Sequence, residues 1–381
     1  MAATSGTLRG ILGSSRRGAA TAALLLAACQ SDPSTSVTET PGDAGAQLSL
    51  LCQLTTDVLF AGGVRNEIPS LLNPALVPLS DPGARYLDDY AQSGVVEARV
   101  VGLIIDDTPI AIPHNILWWH EIVNIDLGGR RLAISYCPLT GSALVFDLTA
   151  AGVQRFIISG LIFQNNLVML DEETETLWAQ MCSQAGIGDR QGTQLVQIPA
   201  IEMLWVAWKT RHPNTLVISS ETGFDRNYAR NPYEFYVVND MLLFPLRDSV
   251  DPRRPLKERV LGIPDGGGGG IAIPFGELTG SAETTVIQTE IAGEIVQVLW
   301  DREARAAMAF YPRTTDGADA TLRPVGTGFV DQETGSVWNV EGRAVSGPLA
   351  GSSLVAHEGS FVAYWFAWSA FHPLTRIWTG E

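Results

Sequence analysis

Residues 205–213 read Trp-Val-Ala-Trp-Lys-Thr-Arg-His-Pro, and residues 365–373 read Trp-Phe-Ala-Trp-Ser-Ala-Phe-His-Pro. The shared frame, Trp-x-x-Trp-x-x-x-His-Pro, returns after 160 positions. The same step carries Asp171-x-x-Thr174-x-x-x-Trp178 onto Asp331-x-x-Thr334-x-x-x-Trp338. Upstream, Ile110-Ala111-Ile112-Pro113 matches Ile271-Ala272-Ile273-Pro274, and residues 132–137 match 296–301, with the small drift in spacing that loop insertions produce. Ordered self-similarity of this kind predicts two copies of one structural unit. Trp205 and Trp208, three apart on one helix face, are expected in the core, with the His212 ring N–H capping the helix end.

Within each copy the pattern has period two. Residues 100–112 alternate around Asp106-Asp107, a turn pair, and Gly128-Gly129 separates two further alternating runs. The glycine run at residues 266–270 falls where the first copy has its Asp-Asp turn, and no Lys-Ser/Thr or helical pattern follows it. It is therefore expected to be a hairpin loop, with no nucleotide bound. Helices are predicted over residues 114–123 and 201–211, the second ended by Pro213. The fold class expected is mainly β with a few short helices (α+β), as two tandem pseudo-repeated β-rich modules packed together. The first module covers residues 61–220 and the second 258–381, joined by a connector, 221–257.

The amino terminus belongs to neither module. Arg9, Arg16 and Arg17 precede an apolar run ending Leu26-Ala27-Ala28-Cys29, the pattern of a lipoprotein signal peptide over residues 1–28 whose cysteine is acylated. Residues 29–60 are then a tether and N-terminal segment, Cys29 carries the lipid, and the chain is expected outside the cytoplasm, anchored to the bacterial cell envelope. Removing the signal takes the formal charge from −16 to −19, because three arginines and no acid leave with it. So acidic a surface, with Lys209 and Lys257 as its lysines, excludes nucleic acid as a partner. A small molecule or a protein remains possible. Of Cys52, Cys137 and Cys182, one pair or none forms a disulfide.

Chemistry is expected where the copies differ. Only the first has Trp118-Trp119-His120-Glu121-Ile122-Val123-Asn124, Tyr136-Cys137-Pro138-Leu139-Thr140-Gly141-Ser142 and Gln164-Asn165-Asn166. His120-Glu121-x-x-Asn124 lacks the second histidine of a zinc-protease helix. If the helix runs through residue 124, His120 and Asn124 share a face and Glu121 points away. Cys137 ends a predicted strand beside Pro138. A pocket of His120, Asn124, Cys137 and Asn165 is thus the candidate site: Cys137 as thiolate, His120 as base, the amides as orienting groups. A soft transition metal held by Cys137 and His120, with Met169, Met181 or Cys182 near, is a second form of the same idea. A redox disulfide is a third. The alternative is a non-catalytic ligand-binding or scaffold lipoprotein of the cell envelope.

The same blocks, with Asn166-Leu167-Val168-Met169, Thr176-Leu177-Trp178 and Lys257-Glu258-Arg259-Val260-Leu261-Gly262, resemble the bacterial and archaeal family called domain of unknown function 3179, over about residues 65 to 381. The resemblance implies an exported protein and supplies no reaction. Many members have a second cysteine where this chain has Thr140, so a Cys-x-x-Cys pair is missing here.

Overall fold

β-Branched and aromatic residues alternating between turn formers make strands. The computed structural model describes residues 51–93, 97–280 and 282–380, and shows there a mainly β protein with six short α-helices. In the first half, Ile201–Leu204, Arg99–Ile105, Thr108–Pro113, Leu216–Ile218 and Leu76–Pro78 lie side by side in that order. A second sheet orders Val196–Ile198, Ser142–Asp147, Arg130–Cys137, Ile122–Leu127 and Leu71–Leu72. The third runs Phe60–Ala61, Phe156–Phe163, Asn166–Asp171, Leu177–Ala179 and Gln184–Ile187.

Four strands of each of these five-stranded sheets recur in the same order of pairing in the second half. Phe361–Tyr364, Arg259–Pro264, Gly270–Pro274 and Arg376–Ile377 form one sheet, and Leu354–Ala356, Ala306–Thr314, Glu294–Asp301 and Thr284–Ile291 another. The last comprises Leu322–Val325, Gly328–Asp331, Val337–Trp338 and Ala344–Ser346. Even the strand sense agrees: Leu216–Ile218 is parallel to Thr108–Pro113, as Arg376–Ile377 is to Gly270–Pro274.

The recurring tryptophans sit in matched surroundings. Trp208 and Trp368 are fully buried, each ring lying on a glycine of the adjacent strand. A Cβ at Gly102 would come within 2.1 Å of the Trp208 ring, and one at Gly262 within 2.2 Å of Trp368. Each indole N–H donates to a threonine hydroxyl, Thr215 or Thr375, at 2.9 Å. His212 departs from its expected role. Its backbone N–H closes the Trp205–Arg211 helix on Trp208 O, while its ring packs 4.2 Å from Trp208 and its Nε2 lies 2.9 Å from the Glu341 carboxylate in the other half. Pro213 turns the chain away, so the ring reaches across to that carboxylate and not back to the helix carbonyls.

Turns fall where expected. Asp106 and Asp107 both have positive φ in the hairpin they close. The 266–270 loop joins two antiparallel strands, and the Asp265 carboxylate accepts the N–H groups of Gly267 and Gly269. The helices are shorter than predicted: His114–His120 in place of 114–123, and Trp205–Arg211 in place of 201–211. Ile122–Leu127 and Ile201–Leu204 are strands, because each finds a sheet partner whose pairing outweighs local helix propensity.

Three apolar clusters fill the interior, and two draw side chains from both halves. Cys52 and Cys182 form a disulfide, leaving Cys137 as the free thiol among the described residues. No helix of the described residues is long and apolar enough to cross a membrane. The signal segment and Cys29 lie outside the described residues.

Candidate functional site

The His114–His120 helix is almost wholly buried and ends at His120 because Glu121 adopts the left-handed region, φ 54°. Two backbone bonds fix that turn: Glu121 N–H donates to Leu117 O, and Glu121 O accepts from Tyr136 N–H. A non-glycine residue held there carries about 1 kcal/mol or more of strain. Glu121 is therefore pinned with its side chain turned off the helix.

His120 is engaged at both ring nitrogens. Nδ1 lies 2.7 Å from Pro69 O and must donate to it, so Nε2, 2.7 Å from the Tyr228 hydroxyl, accepts. Tyr228 then receives a hydrogen bond from Thr222. Burial pushes the imidazole down to about 4, which keeps it neutral.

Asn124 stands on the strand Ile122–Leu127 rather than on a helix with His120. Its amide donates to Leu71 O and Phe156 O and accepts from Phe156 N–H, tying three segments together. Asn165, φ 62°, forms with Gln164 the tight turn between Phe156–Phe163 and Asn166–Asp171. Its amide makes a two-way pair with the backbone of Phe244, 2.7 and 2.9 Å. Cys137 is 2% exposed, its Sγ 3.5 Å from Asn165 O. Burial and the neighbouring Glu121 push the thiol up to about 11, against hydrogen bonds from Thr140 and Leu139. The four expected residues thus do not pool their side chains: His120 serves Pro69 and Tyr228, the two amides serve backbone, and Cys137 meets Asn165 through its carbonyl.

What the fold does gather round the thiol is Glu121 and Tyr233. Burial raises the Glu121 carboxyl to about 7, offset in part by the Tyr233 hydroxyl, and Tyr233 in turn is raised by burial and by Glu121 and Cys137. Glu121 and Tyr233 line a cavity of about 360 Å³ whose other walls include Leu139, Leu161, Leu167, Leu243 and Phe244. Its volume is within the range of small-molecule sites. Residues 62–66 close one side by bonding along Phe156–Phe163, with Gly62 N–H on Gly160 O and Asn66 N–H on Ile158 O. Gly160 makes that approach possible: a Cβ there would meet Gly63 O at 2.6 Å. Behind the Cys137 turn, Thr140, Ser142, Asn166 and Gln180 form a buried hydrogen-bonded network. A larger cleft of about 480 Å³ lies between the halves, but its Glu341 is paired with His212 and its Asp107 with Arg343.

Glu121 and Tyr233 were not among the residues expected to act. Glu121 was adjacent to His120 in sequence, and only the helix assumed through residue 124 turned it away. Tyr233 lies in the connector, where sequence offers no signal.

The family model described as a protein of unknown function, DUF3179, matches residues 65–375. The chain belongs to the DUF3179 family. The match includes every cavity-lining residue of this DUF3179 protein except Gly62, Gly63 and Val64. No curated protein and no solved structure matches the chain. Among the described residues no three His, Cys, Asp or Glu side chains stand together as a metal site.

Proposed function

We propose that this DUF3179 protein is a ligand-binding protein of the cell envelope whose cavity takes up a small, mainly apolar molecule. The observation that carries the reading is an apolar cavity of about 360 Å³ with one carboxyl, Glu121, fixed in its wall. Binding is favoured over thiol catalysis because Cys137 is enclosed and stays protonated at neutral pH, which leaves no thiolate for attack. Nile red, which fluoresces in apolar surroundings, is the direct probe: wild type should bind it saturably, and Leu243→Trp, at the half-exposed mouth, should weaken binding at least about tenfold without loss of fold. A protein that never raises the dye's emission contradicts the reading.

Export and a lipid on Cys29 belong to the same proposal. The disulfide Cys52–Cys182 supports it, since such bonds persist outside the reducing cytosol. Cys29→Ser should abolish incorporation of labelled palmitate and move the protein from the detergent phase to the aqueous phase. Unchanged partitioning would remove the anchor. Divergence of the halves from one module is likewise our reading, supported by the four strands of each sheet that recur in the same order and by the matched Trp-on-Gly contacts.

A further inference from the structure

We propose that the molecule this cavity takes is an apolar amine, bound as its ammonium ion on the Glu121 carboxylate; this rests on the binding reading above and names its ligand class. The charged side chains lining the cavity are Glu121 and Glu67, and none of its described lining residues is Lys, Arg or His. Glu67 lies at the exposed rim, its carboxylate accepting the Val64 N–H at 3.0 Å. Glu121 is deeper and, among the described residues, forms no ion pair, although the chain elsewhere pairs buried carboxylates with arginine: Asp171 with Arg190, Asp301 with Arg211.

A carboxyl among leucines without a cation is an unfavourable arrangement that packing alone does not require. Here it is also held in a strained backbone conformation, which is the mark of a position kept for what the side chain meets. An ammonium group brings the missing charge, and its alkyl or aryl remainder covers the leucine walls. Tyr233 and Phe244 put two aromatic rings in the same wall, a side-chain type that attracts cations. An alkyl carboxylate would enter past the Glu67 carboxylate into a chain of net charge −16 and could not hold Glu121 ionised, and a neutral alcohol brings no charge to pair with it.

Proton balance gives a signature. The titratable groups facing Glu121 are Cys137 and Tyr233, and both are held protonated at pH 6 by burial. When an ammonium ion binds protonated Glu121 and forms the pair, the proton that leaves comes from Glu121.

The experiment compares octylammonium, 1-octanol and octanoate as competitors for Nile red on the full chain at pH 6. Isothermal titration of octylammonium in two buffers of different ionisation enthalpy accompanies it. The expected result is octylammonium about 10- to 100-fold tighter than octanol, the range of a charge-assisted hydrogen bond, with octanoate weakest and a proton released on binding. Glu121→Gln should bring the octylammonium-to-octanol ratio close to one and abolish the proton release. Octanol and octylammonium displacing the dye equally, with no proton released from wild type, overturns the amine while the cavity reading stands. Failure of all three to displace bound dye counts against the cavity reading itself. Because proton release is read on wild type, a poorly folding variant does not blunt the test.

Discussion

Glu121 and His120 are neighbours in sequence whose burial works in opposite directions. Burial lifts the Glu121 carboxyl from about 4.5 to about 7, so the folded state prefers it protonated. Its contribution to stability is complete below about pH 4.5 and is lost as pH rises through about 7. His120 falls from about 6.5 to about 4, so its contribution is complete above about pH 6.5 and is lost as pH falls through about 4. Glu121→Gln should therefore match wild type near pH 4.5 and gain on it as pH rises to 7, by the order of 1–2 kcal/mol once partial exposure is discounted; denaturant midpoints at the two pH values, without ligand, measure it. An equal difference at both values would mean the carboxyl is not shifted. The reactive residue types were legible in the sequence, and Cys137 does stand beside the cavity's carboxyl. What was not legible was orientation. A left-handed residue that is neither glycine nor asparagine leaves no mark in the sequence, and Asn124 and Asn165 read equally well as ligand groups or backbone clamps until the strands they clamp are known.

At the level of elements, turn chemistry was readable because it is local: Asp106-Asp107, Gly128-Gly129 and the 266–270 loop need only their own dihedrals. The tryptophans of the repeated frame declared themselves, whereas Gly102 and Gly262 beneath them did not, since a glycine's close contact is set by a strand far away in sequence. The connector shows the gap most clearly. Read as a joint between modules, residues 221–257 also supply Tyr233, Leu243 and Phe244 to the cavity wall. Lys257 holds this stretch in place, donating from Nζ to the carbonyls of Tyr236, Asn239 and Met241 and lying over the Tyr236 ring. Lys257→Met keeps most of the length of the side chain and removes all three bonds. Amide exchange across residues 233–244 should then quicken about tenfold or more while the strand Arg99–Ile105 keeps its protection; uniform exchange behaviour would show that the ammonium is not what secures the wall.

Across the whole molecule the halves are joined by more than a connector. Arg259 of the second half and Arg99 of the first approach Glu202, whose carboxylate also lies 3.2 Å from His114 Nε2, in an almost dry setting roofed by Tyr136 and Tyr364. No part of that cluster could be read from spacing, because its members converge from both halves. The disulfide was readable only as one of several pairings, and the fold selects Cys52 with Cys182, 130 residues apart. Replacing both by serine should cost about 2–5 kcal/mol in equilibrium denaturation, and a loss well under 1 kcal/mol would mean that the long loop is already ordered in the unfolded chain.

That crosslink also sets a route for mechanical load. Cys52 lies upstream of the strands that wall the cavity, so under the anchor we propose at Cys29 a tug arriving at Cys52 would cross to Cys182 through sulfur and bypass residues 53–181, the stretch that supplies most of the cavity. On that proposal, a protein moored at its amino terminus would be jerked by its leash while the chamber proposed to hold its cargo stayed slack.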